Sequence, residues 1–345
     1  MSETQRYRPA CLTKNESKLG LITTRMKKHL HITSRKKNKG SALARRIKGF
    51  SEMRRIFEHE APSPLIAVHA IDKELLKHLQ DTVATYVSKS LPFDDGPLEE
   101  KNLINAYEEF EKSILCVTPN GIIVPKRNTT LEFNNVVKAL MKIVENLGIS
   151  AFIKSWYIPL NVRIKFGRVH KKDLKRAHAT ETTHSDSWTG LSSESVIIHI
   201  PLFGDTYHNS VHCYDPPLTF QEDWLAPRLS YEEGAEIVKR YKPIDFVCPK
   251  GSVMMLDTAT LHSTRRLPGC GSRISLDAAF VLRKEGSDEN CDGIHPMREN
   301  EHLSPEIMSL IGKEYMFVFS DSPDEIVTSG DRFKHAANIR LTRKL

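Results

Sequence analysis

Between residues 150 and 283 the chain breaks into short β-prone runs, "SWYIPLNVRIKFG", "SVIIHIPLFG", "SVHCYDP", "IDFVCPKGSVMMLD" and "SRISLDAAFVLR", each interrupted or ended by Gly, Pro, Asn or Asp. No βαβ alternation runs through them, so a parallel sheet with crossover helices is excluded. Many short strands of irregular spacing, preceded by helices, are expected to form a mainly β fold: a double-sheet sandwich or jelly roll with flanking helices.

Two helical faces come before this stretch. "IDKELLKHLQDTVATYVSK" puts Ile71, Leu75, Leu79, Val83, Tyr86 and Val87 on one side, and "LEFNNVVKALMKIVENLG" repeats the pattern with Gly148 as its stop. Both are expected to pack on the outside of the sheet-rich core. "SYEE" is a capping box, with Ser230 as N-cap and Glu233 three residues on, and predicts a helix from Ser230 to Tyr241 inside an insertion. The expected divisions are a basic arm over 1–60, a helical flank over 61–150, a sheet-rich core over 151–285 with its insertion at about 216–243, and a C-terminal extension over 286–345.

The net charge of +7 is concentrated at one end: residues 1–60 carry 16 Lys/Arg against 5 Asp/Glu, while the remainder carries 34 against 38. Clusters such as "RMKKHL", "SRKKNKG" and "ARRIKGF" have few apolar residues to anchor them, so the start of the arm is expected to be disordered. Over residues 25–50 it suits an anionic membrane surface; a solvated tail and a transit peptide are the alternatives. No apolar run is long enough to span a bilayer, which sets a cytoplasmic expectation with the option of membrane association. Six cysteines without a C-x-x-C pair are expected as free thiols.

"THSDSW" places His184 and Asp186 one residue apart, a spacing that a chain with 15 His supplies readily by chance. A metal would need a second imidazole, and two imidazoles with one carboxylate suit a non-haem iron with open positions. The candidate is His262 in "PKGSVMMLDTATLHSTRR", just beyond the buried strand of residues 252–256. Eleven residues further, Arg273 and Ser275 share one side of a strand, where an interior guanidinium wants an anion.

In this order, His184-x-Asp186, His262 and Arg273-x-Ser275, the chain resembles the Fe(II)/2-oxoglutarate-dependent dioxygenases. The tract "PKGSVMMLDTATLHSTRRLPGCGSRIS" is similar to the phytanoyl-CoA-dioxygenase-like branch. The resemblance covers residues 150–283 and implies a double-stranded β-helix with Fe(II), 2-oxoglutarate as cosubstrate and O2. By it, His184, Asp186 and His262 are the ligands and Arg273 pairs with the distal carboxylate of 2-oxoglutarate, aided by Ser275. The carboxylate at 186 favours hydroxylation over halogenation, and succinate and CO2 would be released.

The sequence around the ligands looks like that of oxygenases acting on sugars and other polar metabolites, so a polar, anionic small molecule or sugar is expected, an acidic sugar of a cell-surface glycolipid among the options. Trp188 either walls the iron or packs the core. Arg163 and Lys165 either meet an anion or face solvent. Nucleic acid is not an expected partner, because Arg265 and Arg266 follow His262 too closely for the repair-enzyme pattern. Rival histidines, His170, His178, His199, His208 and His212, include a helical zinc spacing in "HNSVH". A metal-free jelly-roll binding module acting through its arm on nucleic acid or membrane is the alternative to an enzyme.

Overall fold

The computed structural model describes residues 41–57, 62–91, 98–109, 116–169, 173–283, 302–319 and 339–344. The clusters at 25–40, His170, Cys11 and Cys291 lie outside the described residues. Among those described, Cys116, Cys213, Cys248 and Cys270 are free thiols, and no helix is long and apolar enough to cross a membrane.

Two antiparallel sheets face each other, with helices on the outer face of the larger one. Its strands are β1 (Ile66–Ala70), β2 (Ile153–Tyr157), β3 (Asn161–Lys165), β4 (Ser195–Gly204), β7 (Ser252–Asp257), β9 (Arg273–Leu282) and β10 (His302–Leu303), in the order β1-β7-β4-β9-β2-β10. β3 and β2 lie end to end along the same edge of β9: Asn161–Lys165 oppose Asp277–Arg273, and Trp156 opposes Phe280. The smaller sheet contains β5 (Asn209–Asp215), β6 (Lys242–Pro243) and β8 (Leu261–Arg266), in the order β6-β5-β8. This is the jelly-roll core with flanking helices that the strand pattern called for.

β4 is buried on both faces because each face has its own cover. Val196, Ile198 and Ile200 join the cluster under the helices, whereas Ile197 joins Ile66, Met254, Leu256, Cys213 and Cys248 between the sheets. The covering helices are α2 (Lys73–Lys89) and α4 (Thr130–Asn146), with the shorter α3 (Glu100–Glu109) beside α2. Asp72 caps α2 by accepting from the amides of Glu74 and Leu75, and α4 ends before Gly148, whose φ of 68° only glycine adopts freely. Leu79, Val83, Phe133, Val137 and Leu140 are fully buried in this layer, each contributing about 1.5–3 kcal/mol of apolar burial.

Two expectations change, and the C-terminal extension acquires structure. Ala42–Arg54 forms a helix, α1, with Phe50 and Met53 fully buried, so "ARRIKGF" is a docked element and not solvated tail. The predicted Ser230–Tyr241 helix is a 3-10 turn at Tyr231–Gly234 followed by a single turn, α5 (Ala235–Val238). Ser230 makes no capping bond there; Glu233 reaches past it to accept from the amide of Leu229 at 3.0 Å. Finally, the C-terminal region adds β10 to the large sheet, α6 (Pro305–Ser309), and a hairpin of β11 (Tyr315–Phe319) with β12 (Ile339–Arg343). Asn134 of α4 grips β11 by both ends of its amide: Nδ2 donates to the carbonyl of Phe317 and Oδ1 accepts from its amide, both at 2.8 Å.

Candidate active site

The segments that carry the three candidate ligands are stitched by backbone. The amide of His184 donates to the carbonyl of His262 at 2.9 Å and the amide of His262 donates back at 2.8 Å, so two residues far apart in sequence face each other as a strand pair does. Ser185 then turns the chain: its hydroxyl donates to the carbonyl of Thr258 at 2.7 Å and accepts from the amide of Ser187, starting the 3-10 turn Asp186–Thr189. That turn swings Asp186 back toward the imidazoles. Asp186 lies 3.6 Å from His184 Nε2 and 3.8 Å from His262 Nε2, and one ligand atom from each of the three lies within 4.8 Å of the others.

The polar contacts suit a cation. His184 Nδ1 is 2.7 Å from the carbonyl of Thr182, which can only accept, so Nδ1 is the donor there and Nε2 is the nitrogen turned toward Asp186. Burial and the neighbouring His184 push the His262 imidazole down to about 4, against the opposing pull of Asp186. Burial alone would raise the Asp186 carboxyl, but His262 and His184 hold it down to about 2. Two imidazoles and a carboxylate are the donor set that a divalent transition metal takes. Tyr231, from the insertion, stacks on His184 with ring centroids 4.0 Å apart.

The triad lines a cavity of about 250 Å³, and the alternation of β3 and β9 decorates its wall in rows. Lys165 opposes Arg273, Arg163 opposes Ser275 and Asn161 opposes Asp277. Asn161 is thus four residues, or about 13 Å, along the strand from Lys165.

At the lower end Arg273 is 2% exposed, its Nη1 donates to Ser275 Oγ at 3.0 Å, and its Nε is buried without a partner. Burial lowers it to about 10. Beside it Lys165 bonds to Thr180 and lies 3.4 Å from Glu181, which Arg266 also holds at 2.9 Å. Burial, reinforced by Arg163, Arg266 and Arg273 against the pull of Glu181, lowers Lys165 to about 7. Burial would raise Glu181, but Lys165 and Arg266 bring it down to about 2.

Midway along the wall, Arg163 Nε donates to Asp277 Oδ2 at 2.7 Å and Nη1 donates to the carbonyl of Asn120 at 2.9 Å, while His199 Nδ1 meets the other Asp277 oxygen at 2.7 Å. The expected residues His184, Asp186, His262, Arg273, Arg163 and Lys165 therefore all line one cavity, and Ser275 bonds to Arg273. Trp188 does not line it: the indole is fully buried, donates to the carbonyl of Trp224 at 2.8 Å and packs on Gly234. Of Trp188's two expected roles, the core role is the one observed.

The rival histidines are engaged elsewhere. His199 belongs to Asp277, His208 to Asp205, and His178 packs on Tyr231. The "HNSVH" zinc reading falls because residues 209–215 are strand, which separates His208 and His212 by about 13 Å along the chain. Asp277, Glu181 and Tyr231 are not among the residues the sequence singles out, and His199, considered there as a rival ligand, instead holds Asp277. Asp277 was within reach, being the next same-side residue after Arg273 and Ser275; Tyr231 had no signal, since it approaches His184 from an insertion.

No protein-family model and no curated protein matches the chain. Solved structures with a similar arrangement include the non-haem alpha-ketoglutarate-dependent epimerase SnoN from nogalamycin biosynthesis (10% identity, 74% of this chain and 97% of that one, TM-score 0.38). EctD from S. alaskensis with 2-oxoglutarate and 5-hydroxyectoine is another (13%, 79% and 89%, TM-score 0.36). An N-substituted L-amino acid dioxygenase from Burkholderia ambifaria is a third (14%, 68% and 87%, TM-score 0.34).

Proposed function

We propose that the chain is an Fe(II)/2-oxoglutarate-dependent oxygenase that hydroxylates a C–H bond of a polar small molecule or sugar, within the superfamily and the phytanoyl-CoA-dioxygenase-like branch that its ligand tract resembles. One observation carries the reading: a two-imidazole, one-carboxylate cluster shares a single cavity with a fully buried guanidinium that has an unpartnered Nε. A buried arginine without a carboxylate on its own fork is costly unless a ligand supplies one.

In this reading His184, Asp186 and His262 hold Fe(II), which when bound supplies the activation of O2 at the expense of 2-oxoglutarate. Arg273, with Ser275 fixing its Nη1, takes the distal carboxylate, and Lys165 adds a second cation next to it. Thr182 keeps His184 in the ligating tautomer. The Arg163–Asp277–His199 network is charge-paired within itself, so it shapes the wall and holds Asn120 in place. The other end of the cavity, with Asn161, Tyr157 and Leu191, is where a polar substrate would enter. A membrane-surface role for residues 25–50 is kept only for the segment before Ser41, because Arg46 points inward to Glu222 and Asp257.

The test is anaerobic titration of 2-oxoglutarate into Fe(II)-loaded protein, followed by the visible charge-transfer band of the chelate. Wild type is expected to develop the band. His262→Ala should lose metal, and Arg273→Ala should keep metal while binding 2-oxoglutarate on the order of 100-fold more weakly. Iron bound without any band would reject 2-oxoglutarate as cosubstrate.

A further inference from the structure

Helix α1 lies far from the triad in sequence, yet its Arg46 is bonded to the turn that leads into His262 and to a second turn that touches the segment carrying His184 and Asp186. Arg46 Nη1 donates to Asp257 Oδ1 at 2.7 Å, while Nε and Nη2 clasp the Glu222 carboxylate at 2.6–3.1 Å. The helix is seated by Leu43, Phe50 and Met53, so the guanidinium is delivered by a fixed element.

Asp257 opens the turn between β7 and β8. Its Oδ1 also accepts from the amide of Ala259 at 2.7 Å, and its carbonyl accepts from the amide of Thr260 at 2.9 Å. The next residue, Thr258, donates to the carbonyl of Ser193 and offers its own carbonyl to Ser185, the residue between His184 and Asp186. The same turn leads directly into His262. Glu222 starts the short 3-10 turn Glu222–Leu225, and the carbonyl of Trp224 in that turn receives the indole N–H of Trp188, which belongs to the turn that carries Asp186.

The geometry points to Arg46 as a positioning residue for the metal centre: a latch through which the N-terminal helix fixes the His184–Asp186 and His262 segments relative to each other. This rests on the metal-centre reading above. The guanidinium fork matters because one group must satisfy two carboxylates at set angles, which a lysine ammonium does not reproduce. Groups that support metal ligands from behind commonly govern affinity, by about 10–100-fold when removed.

The test uses Co(II), which accepts the same nitrogen and oxygen donors and reports geometry through its visible spectrum. Full-length wild type, Arg46→Met, Arg46→Lys, Glu222→Gln and, on the exposed side of α1, Lys48→Ala are titrated in the cold. Far-UV circular dichroism establishes folding, and thermal melts are recorded separately. Arg46→Met is expected to weaken Co(II) at least about tenfold and to alter the visible band. Arg46→Lys and Glu222→Gln should show smaller changes of the same kind, and Lys48→Ala none. Should Arg46→Met fail to fold, Arg46→Lys and Glu222→Gln decide. Folded variants with wild-type affinity and spectrum overturn the latch even if their melts fall, since an ordinary structural ion pair would do that much. A wild type that takes up no Co(II) instead overturns the metal-centre reading itself.

Discussion

Lys165 occupies an unusual position for a lysine: 3% exposed, one strand away from a buried arginine, and lowered to about 7 by burial with three arginines nearby. If it helps to bind a dicarboxylate, its proton becomes part of the affinity. Below pH 7 the ammonium is already charged. Above pH 7 the amine is neutral in the free protein, so binding must recruit a proton, and the dissociation constant for 2-oxoglutarate should rise by up to about tenfold per pH unit. Calorimetric titrations from pH 6 to 9 should show that rise in wild type and a flat, weaker profile in Lys165→Met. A flat wild-type profile would remove Lys165 from cosubstrate binding. Glu181 does not undo this argument, because Arg266 keeps it ionised whichever state Lys165 adopts.

Among the elements, those that keep an apolar row on at least one face are legible in the sequence, and β8, which has little of one, is not. α2, α4, β4, β7 and β9 follow the pattern that the sequence announces. β8 reads "LHSTRR", with Leu261 and Ser263 buried and His262 and Thr264 facing the cavity, so a strand lining a polar site looks like a loop to any hydrophobicity argument. For the same reason His262 was recognisable by its order after His184 and Asp186, while its place on a strand was not. The insertion is expected to be helical and forms only two short turns, because its course depends on tertiary packing: Gly234 lies where a Cβ would come 2.1 Å from the Trp188 ring. Since Trp188 is fully buried and cannot swing away, Gly234→Ala should destabilise the metal-free protein by about 1–3 kcal/mol in urea unfolding. An unchanged midpoint would mean that the insertion is free to move off the indole.

On the scale of the whole molecule, the core over 151–285 does not stand alone. Residues before it supply β1 to the edge of the large sheet and α1 to Glu222 and Asp257, and residues after it add β10 and the β11–β12 hairpin. The basic charge before Ser41 is a separate matter. Deleting residues 1–40 should reduce cosedimentation with anionic vesicles and leave 2-oxoglutarate affinity within about twofold of wild type. Equal vesicle binding by the truncated and full chains would remove the arm from any membrane role.

The pairing of α1 with Glu222 and Asp257, across 176 and 211 residues, also fixes an order of events on the ribosome. α1 and β1 are synthesised first, but their partners emerge only when most of the chain has been made. Until then the edge of β1 lacks its partner β7, and Arg46 lacks both of its carboxylates. Non-local pairing of this kind slows folding and leaves sticky surface exposed during translation. The contacts that tie α1 to Glu222 and Asp257 are accordingly among the late ones to form, after the strands between them have been made.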